Sequence, residues 1–274
     1  MTGQATFAKL DKYLKRSTGL IIVSVALALG GCGGGKLTTG SIGRSSKPIE
    51  QMSGPELAGA KINYGKAYAR DQKNKEVGIA YANILRMNGS NDQALAVMRQ
   101  TAIYHPNDRD VLSAYGKALA GAGELQGALD AVRRAQRPEY PDWKLLSAEG
   151  AILDQMGNAV EARALYRKAL DIAPGEASIQ SNLGMSYLLE GDLKTAETYL
   201  SAAARSPSAD STVRQNLALV VGLQGRFGEA EQIASRELSP EQAQANLAYL
   251  RQMLAQQDSL GQLKQEGAAT ANQG

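Results

Sequence analysis

The chain has 274 residues, of which 43% are hydrophobic but only 5% aromatic, with 29 glycines and a single cysteine. Its formal charge of +3 is carried by residues 1–31, where Lys9, Lys12, Lys15 and Arg16 stand against Asp11 alone. The remainder is neutral, which excludes the basic footprint of a nucleic-acid binder, and its core must be built from small and aliphatic side chains.

The first 31 residues have the anatomy of a secretory signal. Basic residues up to Arg16 precede an apolar run from Leu20 to Leu29, too short to span a bilayer comfortably as a permanent helix. The run ends in Leu29-Gly30-Gly31-Cys32, which resembles the lipobox of bacterial lipoproteins. That resemblance implies that Cys32 is diacylated through its sulfur, becomes the new N-terminus after cleavage, and is acylated again on its amine. Several acyl chains, each stabilised by about 0.8 kcal/mol per buried CH₂, would then hold the protein on a membrane. Gly33 stands where an Asp would imply retention at the inner membrane, so the resemblance implies the periplasmic face of the outer membrane. Residues 32–53 are rich in Gly, Ser, Thr and Lys and read as a flexible tether. Ser53-Gly54-Pro55-Glu56 starts an extra N-terminal helix that runs to about Arg70.

From Lys75 to Gln244 the chain falls into five blocks of 34 residues without insertion or deletion: 75–108, 109–142, 143–176, 177–210 and 211–244. One column reads Gly89, Gly123, Gly157, Gly191, Gly225, and another Ala94, Ala128, Ala162, Ala196, Ala230. A third is always small (Ala82, Gly116, Gly150, Gly184, Ala218), and a fourth always aliphatic (Val77, Val111, Leu145, Ile179, Val213). A fixed period of 34 points to the tetratricopeptide helix–turn–helix unit. The expected fold is all-α, a right-handed α-solenoid over residues 54–257. Each block divides at its glycine, which suits a left-handed helix-terminating position. The alanine column on the second helix and the small column on the first predict close helix–helix contact. Glu149 occupies a slot filled by Tyr81, Tyr115, Leu183 and Leu217 elsewhere, and reads as a partly open spot.

Ser239-Pro240-Glu241-Gln242 is a helix start with a capping box. It opens a C-terminal capping helix over 240–256, and residues 258–274 read as a disordered tail.

Catalytic and cofactor chemistry finds no support in these residues. The single histidine, His105, precedes Pro106 at a helix end, where it suits the helix dipole and cannot build a zinc site alone. There is no phosphate-binding glycine loop and no EF-hand spacing. The reading is of a non-enzymatic protein without cofactor or metal.

The first helices of such repeats line a concave groove. In the fourth and fifth repeats, helical spacing places Asn182, Met185, Leu188 and Leu189, then Gln215, Asn216, Leu219 and Leu223, on that wall, with Asn246 one helix further. Exposed aliphatic side chains there would bury against a partner, and stacked asparagines can donate to and accept from an extended peptide. An equal reading has the asparagines serving only to bond neighbouring helices.

Val213-Arg214-Gln215-Asn216-Leu217-Ala218-Leu219-Val220-Val221-Gly222-Leu223-Gln224-Gly225-Arg226-Phe227, followed by Glu229-Ala230-Glu231, resembles the last repeat of the TadD family. Asn246, Ala248, Tyr249, Leu250 and Arg251 fit that family's closing helix. These are tetratricopeptide lipoproteins of the Tad (Flp, tight-adherence) pilus machinery. The resemblance implies an interaction scaffold that assists assembly of a pilus or its secretin channel. The implied partners are a secretin or other pilus and secretion proteins, bound through an extended peptide. The alternative is a lipoprotein of outer-membrane protein biogenesis or envelope homeostasis.

Overall fold

The computed structural model describes Ile49, Met52 and residues 54–271, the side chains of Pro240 and 257–271 excepted. Cys32, the signal segment and nearly all of the tether lie outside the described residues. Among the described residues the chain is all helix: α1 (Gly54–Arg70), α2 (Lys75–Met87), α3 (Asn91–Tyr104), α4 (Arg109–Gly121), α5 (Leu125–Ala135), α6 (Trp143–Gln155), α7 (Ala159–Ile172), α8 (Ala177–Glu190), α9 (Leu193–Arg205), α10 (Ser211–Leu223), α11 (Phe227–Ala234) and α12 (Pro240–Ala271). Two compact units result, one holding α1–α7 up to Pro174 and the other α8–α12 from Gly175.

Every 34-residue block opens on the first residue of a helix, at Lys75, Arg109, Trp143, Ala177 and Ser211. The reason lies one residue earlier. Asn74, Asp108, Asp142, Glu176 and Asp210 form a further column at the same period, and each side chain accepts a hydrogen bond from a backbone N–H of the first turn. Such caps satisfy donors that the helix itself leaves unpaired, and are worth about 1 kcal/mol each. The turn inside each block is fixed by its glycine: Gly89, Gly123, Gly157, Gly191 and Gly225 all lie at φ between +71° and +86°. At Gly89 the left-handed turn lets Ser90 N donate to Leu85 O and Gly89 N to Arg86 O, closing α2.

Within a block the two helices meet at the small column. A Cβ on Gly116 would lie 2.6 Å from Val132 Cγ2, one on Gly150 2.7 Å from Tyr166 Cε1, and one on Gly184 2.8 Å from Leu200 Cγ. The backbone is close as well, since the carbonyls of Ala128, Ala162 and Ala196 stand 3.1, 3.1 and 3.0 Å from those same positions. The alanine column and the small column are therefore two sides of one contact, and all five residues of the alanine column are fully buried. Burial of the large partners, Val132, Tyr166 and Leu200, stabilises each hairpin by about 1.5–3 kcal/mol per side chain.

At the C-terminal end, Ser239 and Gln242 form the reciprocal capping box, each side chain accepting from the other's backbone N–H at 3.3 Å. Leu247 packs with Val221 and Ala230, and Ala243 with Ala218 and Ala234, so the first half of α12 covers the end of the α10–α11 hairpin. The helix then continues to Ala271, past the end near Gln256 and through the stretch that reads as a disordered tail. After Pro240 no proline interrupts it, and Ala, Leu, Gln and Lys are strong helix formers, with only Gly261 and Gly267 each costing about 1 kcal/mol.

Candidate binding surface

The first helices α8 and α10 carry the wall predicted from sequence, and the structure divides it. Nine of the fourteen residues of α8 are buried, and the helix packs against both α9 and α10. Asn182 is 1% exposed, and Met185 and Leu188 are buried with Ala196, Leu200 and Val220 in one cluster. These three do not stand on an open wall. Asn216, 8% exposed, donates from Nδ2 to Ser181 Oγ at 3.1 Å, tying α10 to α8. That is the inter-helix role, a buried hydrogen bond between a side-chain amide and a hydroxyl. Asn246 is exposed on α12, so it does not share the buried setting of Asn182 and Asn216.

What remains accessible is apolar. Leu219 and Leu223 are half-buried and pack on the Met185–Leu188 cluster from outside, and Leu189 is 38% exposed at the end of α8. Gln215 is exposed beside them, its Nε2 donating to Ser211 Oγ at 2.9 Å. The result is an aliphatic strip with a polar border, resting on a core that holds it in place.

The unit of α1–α7 presents different chemistry on its first helices. Lys117, Ser147, Glu149 and Asp154 are all buried there. Glu149 is not an open spot: its side chain is 11% exposed and accepts from Arg133 Nε at 2.7 Å. Tyr166, fully buried, donates its hydroxyl to Asp154 Oδ2 at 2.9 Å. Burial, then the neighbouring Asp154 charge, holds the Tyr166 phenol well above its ordinary range, so it stays a neutral donor. Sequence reasoning passed over this pair. Its signal is that Tyr166 and Asp154 stand twelve residues apart across a glycine turn, on the two helices of one hairpin.

His105 closes α3, and its Nε2 lies 2.7 Å from Lys73 O, so it links a helix end to the turn before the repeats. Among the described residues there is no group of three or more His, Cys, Asp or Glu side chains fit to hold a metal ion. No helix of the described residues is long and apolar enough to cross a membrane.

Two segments, residues 79–143 and 155–220, match family profiles described as tetratricopeptide repeat. The chain is 30% identical over 136 residues to the cellulose synthase operon protein C of Pseudomonas fluorescens (strain SBW25), covering 47% of this chain but only 11% of that protein. The solved structure of TTC0263, a thermophilic tetratricopeptide protein of Thermus thermophilus, matches with TM-score 0.56 at 19% identity, over 64% of this chain and 98% of the other. PilW, described as a widely conserved type IV pilus biogenesis factor, matches with TM-score 0.54 at 21% identity, over 73% and 92%. Likenesses at such identities establish the fold.

Proposed function

We propose that this tetratricopeptide-repeat protein is a lipid-anchored scaffold on the periplasmic face of the outer membrane that assists assembly of a Tad-type pilus or its secretin channel. The aliphatic strip of Leu219, Leu223 and Leu189 carries the reading, because it offers burial to a partner segment without disturbing the core beneath it. An extended segment or a helix with alternate apolar side chains fits such a strip, and the exposed Gln215 amide supplies a polar contact at its edge. The Asn182–Asn216 pair plays no part in this version, since Asn216 is engaged with Ser181 inside the fold. Two features of sequence support the cellular setting: the Leu29-Gly30-Gly31-Cys32 lipobox and the TadD-like run from Val213. The fold shared with PilW is compatible with it and adds the fold alone.

The test is Leu219→Glu with Leu223→Glu in the otherwise native chain. The expected result is an unchanged circular dichroism spectrum together with loss of surface pili or of secretin multimers. A folded double variant with normal pili overturns the assignment of this strip. Normal pili with reduced porins would move the protein to outer-membrane protein biogenesis instead. Cys32→Ser tests the anchor separately and is expected to leave an unprocessed precursor outside the outer-membrane fraction.

A further inference from the structure

In the α1–α7 unit the second helices end at Arg70, Tyr104, Ala135 and Ile172, on one edge, and the turns to the next first helices run along it. Side chains stitch neighbouring turns together. His105 Nε2 reaches Lys73 O, Lys73 Nζ sits 5.7 Å from the centre of the Tyr104 ring, and Arg134 Nη2 donates to Pro106 O at 3.0 Å. Arg109 Nε donates to Ala135 O at 2.9 Å, and the Gln136 side chain brackets the backbone of Asp142. From Lys73 to Trp143 the edge is therefore one continuous, braced surface.

Its exposed side chains are of two kinds. Four of the eight large hydrophobic side chains exposed among the described residues stand here: Ile103 at 69%, Tyr140 at 76%, Ile172 at 45% and Tyr104 at 38%. Pro138 and Pro141 flank Tyr140, whose N–H donates to Arg137 O at 3.1 Å, so the ring is presented on a fixed turn. Trp143, the only tryptophan, opens α6 three residues later and is half-buried, with Lys144 Nζ 5.5 Å from its ring. The second kind is basic. Arg70, Lys73, Arg134 and Arg137 are exposed against Asp71 and Glu139, while Asp108 and Asp142 are already paired with Lys75 and Arg109. Apolar and aromatic tips inside a basic fringe suit the headgroup level of a bilayer. There a Tyr or Trp ring lies half in hydrocarbon and half in water, and Lys or Arg meets lipid phosphate.

Charge along the sequence points to the same occupant. Residues 54–174 hold 16 basic against 14 acidic side chains, and residues 175–274 hold 7 against 11. Residues 32–53 add Lys36, Arg44 and Lys47 against Glu50. An anionic surface thus attracts the segment that follows Cys32 and the α1–α7 unit, and repels the rest of the chain. The reach is sufficient. The 21 residues between Cys32 and Gly54 span at most about 75 Å, and α1 carries the chain about 26 Å from Gly54 to the edge at Arg70. We infer that this edge is a membrane-docking surface for anionic phospholipid headgroups. Ile103, Tyr104 and Tyr140 enter at headgroup level, and Lys73, Arg134 and Arg137 meet the phosphates. The inference rests on the lipid anchor of the proposed function only for delivery to the bilayer.

The experiment reconstitutes the full native chain with vesicles of phosphatidylcholine, alone or with about one third phosphatidylglycerol, and reads Trp143 emission against brominated acyl chains. Quenching is expected to be about twofold stronger with phosphatidylglycerol, and to fall to the phosphatidylcholine level between about 50 and 500 mM NaCl, because salt screens exposed charges. Arg137→Glu with Tyr140→Ser is expected to abolish the difference. Val160→Ser, an exposed site at the opposite end of α7 from Ile172, is expected to leave it unchanged. Circular dichroism checks folding, and Ile103→Glu replaces the double variant if that one loses helix. Flotation of the same vesicles separates the anchor from the edge. Flotation with both lipids and the expected quenching support the two together, and flotation with phosphatidylglycerol alone supports the edge while refuting the anchor. Flotation with both lipids but equal quenching overturns the edge and leaves the anchor standing; no flotation overturns both. An undiminished difference in the double variant overturns the inference. So does a protein partner that binds this edge while Trp143 shows no lipid dependence.

Discussion

Gly184→Ala is the sharpest test of how the hairpins are packed. Gly184 lies inside α8, where exchanging glycine for alanine alone stabilises a helix by about 1 kcal/mol. Against this, the new Cβ would stand 2.8 Å from Leu200 Cγ and 3.0 Å from the Ala196 carbonyl oxygen. The leucine can turn, but the carbonyl belongs to the α9 backbone and can retreat only by shifting the helix, so the overpacking cost falls at the upper end of about 1–3 kcal/mol. The expected net effect is a loss of about 1–2 kcal/mol. Gly59→Ala in α1 is the control: nothing lies within 4 Å of its Cβ, and a gain of up to about 1 kcal/mol is expected. Urea denaturation followed by circular dichroism at 222 nm measures both. Adding Leu200→Ala to each background gives a double-mutant cycle in which the cost of Gly184→Ala shrinks by about 1 kcal/mol or more, since the small partner vacates the contact. If Gly184→Ala stabilises the protein as much as Gly59→Ala does, the helices are not in van der Waals contact at this column and the packing argument fails.

Other outcomes follow from the same geometry. Tyr166→Phe removes the buried hydrogen bond to Asp154 and is expected to cost about 1–3 kcal/mol in the same melt; a neutral change would mean that this bond contributes nothing to stability. Because the Tyr166 phenol is raised in the folded chain, its contribution is fully present below the unfolded value of 10.0 and is lost as pH rises beyond it. Parent stability is therefore expected to fall above that pH, and Tyr166→Phe should remove part of the slope. Asn216→Ala, which breaks the bond to Ser181, is expected to lower stability by about 1 kcal/mol, and partner capture that falls without any loss of stability would restore its binding role. Glu197 is depressed first by its hydrogen bond to Arg226, so its contribution is present above about the ordinary value of 4.5 and lost as pH falls through the folded one. Acid titration of Glu197→Gln should show a shallower loss there.

The fold was legible because it is written in spacing. A glycine at every thirty-fourth residue fixed the turns, and the small and alanine columns marked the contact that the distances now show. The site was less legible because the same spacing cannot tell a groove wall from a crowded interior. Asn182, Met185 and Leu188 satisfy the helical periodicity of an outward face, yet all three are buried, with α8 packed on both α9 and α10. Glu149 misled for a related reason. A carboxylate in an apolar column reads as an opening until its partner is seen, and Arg133 comes from a different helix sixteen residues earlier. The cap column from Asn74 to Asp210 was in plain sequence, but Asn, Asp and Glu share a chemical role without sharing a letter.

The match of small to large across each hairpin also bears on how the chain avoids confusing its own parts. Five near-equal hairpins in one polypeptide invite pairing between the wrong neighbours, a characteristic failure of repeat proteins during folding. Here the space left by the first helix differs between hairpins: sixteen residues after Ala82 stands Met98, after Gly150 Tyr166, and after Ala218 Ala234. An α2 or α10 placed against α7 would drive an alanine methyl into the Tyr166 ring, where even the glycine native to that place has no room for a Cβ. An α6 placed against α11 would leave a void beside Ala234. Tyr166 thus admits a first helix with glycine at this column and rejects one with alanine, so a chain that looks repetitive in outline still separates two classes of contact.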